Sequence, residues 1–434
     1  MLIPRPVLAE LAAARRSPGE ALQVAEVETD LDPLELVRAG AGAFGAAVYY
    51  SSPAGRAVGG LGVAWSAEAS GPGRFLALDR ALSSLPDGVE AALGFSFAPG
   101  GPRSPEWAGF PAAQAVVPSI AVWRRGGRSR LCLAWPDGAG PAAALEAAAR
   151  LPRPGPPELP PPVGSTRPVP PVREWAARVT ETVAAIRSGG PAKVVLARAR
   201  RVALERAARP FDMAALLQER CPGCHTYAWQ AGPAALVGAS PELLVARLGK
   251  RFEARPLAGS ARRGADPAED RRLGDALLAD PKERAEHAFV VEEVCAQLAS
   301  LADDLERPPV PRLERLPAVQ HLATPITGTT GARLLALVDA VHPTAAVGGI
   351  PRPEALARIE RVESIDRGWY AGGVGWADGG GDGEVAVALR CALVQGPVVT
   401  VYAGAGIVAG SDPAAEVAET ELKMAPLLNL LSVG

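Results

Sequence analysis

ALVGASPELLVARLGKRFEARPL, residues 235–257, decides the fold class. Its apolar runs, ALVGA, LLVARL and RFEARPL, are each too short for a self-sustaining helix. S-P-E and G-K steps separate them, and both are turn signals, so the stretch predicts strands of an antiparallel meander. Working outward, KVVLARARRV from Lys193 reads as a further strand. EVAVALRCALV (384–394) and VVTVYAGAGIV (398–408) read as two more. Helical periods lie between them. REWAARVTETVAAIRSG, from Arg173, repeats Trp175, Val179, Val183 and Ile186 on one stripe and stops at Gly189-Gly190. Residues 280–301 and the end of the chain are helical in period as well. Antiparallel runs mixed with helices predict an α+β fold of large antiparallel β-sheets layered with helices, not a doubly wound one.

The chain has 434 residues, 48% of them apolar, with a formal net charge of -2 and five cysteines. That is enough apolar matter for a large core. Without a basic excess there is nothing to track a phosphate backbone, so nucleic acid is not an expected partner. The opening MLIPRPVLAELAAARRSP lacks the apolar run of a secretion signal, and later apolar stretches are broken short of a membrane span. A cytoplasmic protein with no membrane partner, a monomer or weak homodimer, is the expectation. CPGCH, Cys221 to His225, has the spacing of covalent haem attachment and of a redox C-x-x-C, and is equally a plain turn. Half of residues 152–171, PRPGPPELPPPVGSTRPVPP, are proline, which disfavours helix and central strand and predicts an extended connector. The expected organisation is a variable N-terminal lobe over 1–151, this connector, and a chemically active region over 172–434.

AEVAETELK (415–423) crowds acids onto the last helix. At 100° per residue Glu416, Glu419 and Lys423 share a face while Glu421 points away. That is either a solvated surface with an i,i+4 pair or a cation-holding face. DPKERAEHAFVVEEV (280–294) offers a second acidic pair, Glu283 and Glu286, behind an Asp280 N-cap with Pro281 at the first helical position. Its apolar stripe reads Phe289, Val290, Val294. Two such helices could converge on a hard cation, because Mg²⁺ takes one or two carboxylates and keeps places for water and a ligand oxygen. Arg390, if its strand alternates, shares a face with Ala386, Ala388 and Ala392. It is either an outward arginine or one poised for bidentate carboxylate capture. Gly404 and Gly406 follow a strand, as a tight turn or a close backbone approach to a ligand. Lys193 opens an apolar strand, as an edge guard or a functional amine, and Glu242 sits at the proline turn of GASPELL.

From about residue 170 to the end, the chain resembles the chorismate-utilising enzymes, most closely their isochorismate synthases. The blocks are KVVLAR, GASPELL, PLAGSARRG, KERAEH, QHLATPITG, HPTAAVGGIPR, WYAGGVGW, ALRCA, YAGAGIVAGSDP and the closing E-x-x-E-T-x-x-K, all in the family's order. The stretch before the connector matches poorly. The resemblance implies a chorismate-binding catalytic region over 172–434. In it Lys193 is the general base that activates water for attack at C2, and Glu242 the general acid for the C4 hydroxyl. It implies Mg²⁺ on Glu286 and Glu419, with Glu283 and Glu416 behind them. Gly259, Ser260, Arg390, Gly404 and Lys423 would contact the substrate's carboxylates, Ala346 would line the pocket, and His321 would lie near the ring. Anthranilate synthases carry glutamine at the position of Lys193. Aminodeoxychorismate synthases resemble P-I-K-G-T, where this chain has PLAGS with Ala258. Salicylate synthase, which shares the lysine and the glutamate and then eliminates pyruvate, remains the alternative. HLATP and HPTAAVGG favour isochorismate synthase, for menaquinone or for a siderophore.

Overall fold

In the strand Ala234–Ser240, Leu236 faces one apolar cluster and Val237 another; in Cys391–Gln395, Leu393 and Val394 divide the same way. Alternate strand side chains point to opposite faces, so an unbroken apolar run marks a strand covered on both sides. The computed structural model, which describes residues 1–14, 22–316 and 319–432, places these two strands side by side in a twelve-stranded sheet. Among the described residues, a nine-stranded sheet and a three-stranded one complete the β-structure. One cluster joins Leu196, Tyr227, Leu236 and Leu393 of the larger sheet to Phe95, Val374, Trp376 and Val385 of the nine-stranded sheet. The other lies on the far face of the larger sheet, where Val237, Val394 and Val401 meet Phe211 and Leu217 of the helix Pro210–Arg220 and Met424 and Leu427 of the closing helix Pro413–Leu431. The expected α+β layering is found.

Strands from both sides of the connector fill both large sheets. Ala46–Ser51 pairs with His225–Ala231 in the larger, and Glu90–Phe95 with Gly373–Asp378 in the other. The connector itself ends in an edge strand, Val163–Val169, laid antiparallel along Lys193–Leu204. Among the described residues, no helix is long and apolar enough to cross a membrane.

Four expectations are corrected. Leu243–Leu248 and Arg251–Arg255 do form a hairpin across Gly249-Lys250, but Ala234–Ser240 belongs to the other sheet. Pro241-Glu242 is thus a passage between sheets and not a reversal within one. Likewise EVAVALRCALV is two strands: Gly383–Val387 lies in the nine-stranded sheet and Cys391–Gln395 in the twelve-stranded one. Arg390, between them, has φ 50, so strand alternation does not set its direction. A change of sheet leaves no mark in the sequence pattern when both sheets bury both faces. Third, Gly404 and Gly406 lie inside the strand Val398–Ile407, paired with Ala197 and Val195, and make no turn. Fourth, Phe289 is 62% exposed; the buried stripe of the helix Pro281–Leu298 is His287, Val290, Val291, Val294 and Leu298.

CPGCH is a turn between Pro210–Arg220 and His225–Ala231, closed by Cys224 N donating to Cys221 O at 3.2 Å. Burial raises the Cys221 thiol and pushes that of Cys224 up to about 12, away from reactive thiolate. The Gly189-Gly190 stop is also as expected. Gly189 has φ +89 and Gly190 N bonds Ala185 O at 3.0 Å, closing the helix Val172–Arg187.

Candidate active site

The two passages between sheets lie side by side. Val387 N donates to Glu242 O at 3.0 Å, and Ala239 N donates to Arg390 O at 3.2 Å. Each passage therefore delivers one charged residue to the same gap. Glu242 and Arg390 there line a cavity partly open to solvent, together with Lys193, Gly259, Ser260, Glu286, His321, Ala346, Gly404, Glu419 and Lys423. Glu283 and Glu416 line an adjoining smaller cavity that shares Gly259, Ser260, Glu286 and Glu419 with the first. All the candidate residues named from sequence border these two connected spaces. Gly406 lines the main cavity too, as do Tyr370, Val347 and Leu257, which sit inside quoted blocks without a role read from sequence.

Lys193 begins the strand Lys193–Leu204 and is 7% exposed. Its Nζ donates to Glu286 Oε1 at 2.8 Å. The space for this side chain comes from Gly406 on the neighbouring strand, where a Cβ would stand 2.7 Å from Lys193 Cε. Glu242 is 3% exposed. Burial lifts its pKa from 4.5 to about 8, against the pull of Arg390, Lys193 and a backbone hydrogen bond from Leu257. At neutral pH it is a protonated acid in a protein cavity, the state a proton donor needs.

The three-stranded sheet supplies the next wall. Register slips between Ala258 and Ser260, leaving Gly259 as a bulge at φ +75. The bulge turns Ser260 N toward Glu283 Oε2 at 3.1 Å. His321, on the partner strand, is within 3.0 Å of Arg390 Nη2 through Nε2, while Nδ1 is 2.9 Å from Ser260 Oγ. A guanidinium only donates, so Nε2 accepts and Nδ1 carries the proton. Burial, then the charges of Arg390 and Lys423, hold the His321 pKa well below 6.5, in keeping with that neutral ring.

Both acidic helices send carboxylates to these spaces: Glu286 and Glu419 line both cavities, and Glu283 and Glu416 the smaller one. Asp280 caps Pro281–Leu298 and Asp412 caps Pro413–Leu431, each accepting from two backbone N–H groups. Glu419 pairs with Lys423 Nζ, which also donates to Gly404 O at 3.0 Å. Burial opposes ionisation of Glu419, but Lys423, Arg390 and Lys193 outweigh it and lower its pKa. Glu416 is pushed up to about 7, chiefly by burial, with the charges of Glu419 and Glu286 adding to it. Glu283 is raised by burial and then by Glu286. Glu421, on the opposite face, binds Arg198 and Arg200 and ties the helix to the Lys193 strand. Among the described residues, no three carboxylate, imidazole or thiol groups stand together as a ready metal site. Two of the carboxylates are held instead by the ammonium groups of Lys193 and Lys423.

A buried carboxylic acid, Glu242, thus shares one cavity with Lys193, Arg390 and Lys423. The family model for chorismate binding enzymes matches residues 8–432, and the chain belongs to that family. The match runs through the stretch before the connector, where the sequence blocks gave no guide. The chain is 40% identical over 350 residues to the salicylate biosynthesis isochorismate synthase of Pseudomonas aeruginosa, covering 78% of this chain and 73% of that one. It is 49% identical over 207 residues to the putative isochorismate synthase MenF of Mycobacterium tuberculosis, a match spanning 46% of this chain and 55% of the relative. In structure it is similar to MenF, the menaquinone-specific isochorismate synthase from Escherichia coli. The TM-score is 0.87 at 26% identity, over 98% of this chain and 99% of that one.

Proposed function

We propose that the protein is an isochorismate synthase, which adds water at C2 of chorismate and expels the C4 hydroxyl. The observation that carries this reading is the joint placement of Lys193 and a protonated Glu242 in one cavity with Arg390 and Lys423. Lys193 takes a proton from water as the water oxygen bonds to C2. Both ring double bonds shift, C1=C2 to C1=C6 and C5=C6 to C4=C5, as the C4–O bond breaks and Glu242 gives its proton to the departing hydroxyl. The chorismate skeleton is returned as an isomer, with one water consumed and one released. Arg390, fixed by His321, and Lys423 supply counter-charge for a dianionic substrate. Ser260 and Gly404 bring polar backbone close to it, and Ala346 keeps the wall small. Glu242 is kept uncharged by the same water-poor setting that strengthens the other electrostatic contacts.

Carboxylate oxygens are the donors a magnesium ion favours, and one or two of them suffice. Glu286 and Glu419 would hold the ion, with Glu283 and Glu416 beside them. The raised pKa values of Glu283 and Glu416 mark a crowd of acids that a cation would relieve. When bound, the ion supplies fixed positive charge for the ring carboxylate. A cytoplasmic setting and a monomer or weak homodimer belong to the same proposal. The test is incubation with chorismate and a magnesium salt followed by separation of products. Isochorismate alone supports it; salicylate with pyruvate supports a salicylate synthase; no turnover refutes both.

A further inference from the structure

The strand Lys193–Leu204 is paired along one side without a break, from Val194 to Ala203, with Val398–Ile407. Its other side is not. Gly349-Ile350 covers Lys193 and Val194, Val195 N reaches Gly348 O at 2.9 Å, and strand pairing resumes only at Ala199 with Val169. Three backbone groups of Val195 and Ala197 face this gap, and buried backbone groups need partners. Three side chains provide them. Arg367 Nη2 donates to Val195 O at 2.7 Å, Ala197 N donates to Glu363 Oε1 at 2.6 Å, and Trp175 Nε1 donates to Ala197 O at 3.1 Å. Arg367 is 5% exposed, paired with Glu363, and seated over the Phe97 ring. Its Nη1 donates to Val347 O at 2.9 Å. Val347 and Val195 both line the cavity, so one guanidinium grips two of its walls.

We propose that Glu363 and Arg367 are positioning residues for the reaction: a charged side-chain pair standing in for an absent strand segment, which fixes the Lys193 strand against the Val347 wall. The inference rests on the reading of Lys193 as base. A lysine at the very start of a strand, with a two-residue partner on one side, takes its position from the next few backbone bonds. Those bonds are the ones Arg367 and Glu363 make. Arg needs its fork for this, because a single ammonium cannot serve Val195 O, Val347 O and both Glu363 oxygens in one plane.

Arg367→Lys keeps a cation beside Glu363 and removes the fork. The expected result is a fall in kcat of about 10- to 100-fold with KM for chorismate changed by less than about 3-fold, the signature of a misplaced reacting group. Amide hydrogen exchange should quicken at residues 195–198 and stay unchanged in the Pro281–Leu298 helix. Trp175→Phe, which removes one bond and keeps the packing, should give the same pattern more weakly. Unchanged kcat with unchanged exchange overturns the proposal, as does a loss of kcat shared by Leu427→Ala, a remote core variant, at matched melting temperature. If the unmodified enzyme does not turn over chorismate, the functional reading fails instead. The exchange at Ala197 still decides whether the pair acts as a clamp.

Discussion

Lys193 Nζ and Glu286 Oε1 are 2.8 Å apart although they come from a strand and a helix 93 residues distant in sequence. The contact joins the proposed base to a proposed metal ligand. Around it Glu242, Arg390, Glu419 and Lys423 line the same cavity.

Glu242 gives the pH dependence. It must carry its proton to act as acid, and its pKa is about 8. Turnover should therefore hold on the acid side of that value and fall as pH rises through it, in a kcat profile measured from pH 6 to 10. Glu242→Gln should lower kcat by about 10²- to 10⁴-fold and remove that limb. Stability has its own sign. Between 4.5 and about 8 the folded chain holds a proton that the unfolded chain releases, so stability falls as pH rises across this window. The slope is up to about 1.4 kcal/mol per pH unit, and Glu242→Gln should flatten it in denaturant titrations.

Gly406→Ala tests the space beside Lys193. The added Cβ would meet Lys193 Cε at 2.7 Å and Nζ at 3.3 Å, the far end of a flexible chain. The lysine shifts and the sheet does not. The expected outcome is a kcat lower by about 10- to 100-fold, with a circular dichroism melt close to that of the parent.

His321 sets the direction of Arg390. His321→Leu removes the acceptor at 3.0 Å and leaves the guanidinium free to swing. A charge-assisted hydrogen bond contributes about 1.5–3 kcal/mol, so KM for chorismate should rise about 10- to 100-fold, more than kcat falls. Steady-state kinetics over a wide chorismate range would read this.

Glu419→Gln tests the cation. Isothermal titration of the parent with magnesium chloride should show one site, and the variant should bind more weakly by at least about 10-fold. Chelation of the parent should stop turnover, and added magnesium should restore it.

Much of this was readable in the sequence. The aspartate cap at Asp280, the Gly249-Lys250 hairpin and the turn at CPGCH follow local rules, and the structure has them. The site residues came through quoted blocks, and those blocks converge. What could not be read is how the sheets exchange strands. Pro241-Glu242 resembles a reversal, and Ala388–Arg390 the middle of a strand, because apolar alternation is the same in either sheet. Arg390 thus reaches the cavity through a left-handed backbone and not through strand alternation. Phe289 is exposed although its sequence surroundings are apolar, because several registers of one helix look equally apolar. The roles of Glu363 and Arg367 were hidden for a simpler reason: the need they meet, an unpaired strand edge, exists only in three dimensions.

The central claim is that Lys193 directs water onto C2 while Glu242 releases the C4 oxygen. Turnover of chorismate in H₂¹⁸O, with mass spectrometry of the product, reads it directly. Isochorismate carrying one ¹⁸O, formed by the parent and not by Lys193→Gln, is the expected result. Unlabelled isochorismate, or labelled product from Lys193→Gln at the parent's rate, would contradict it.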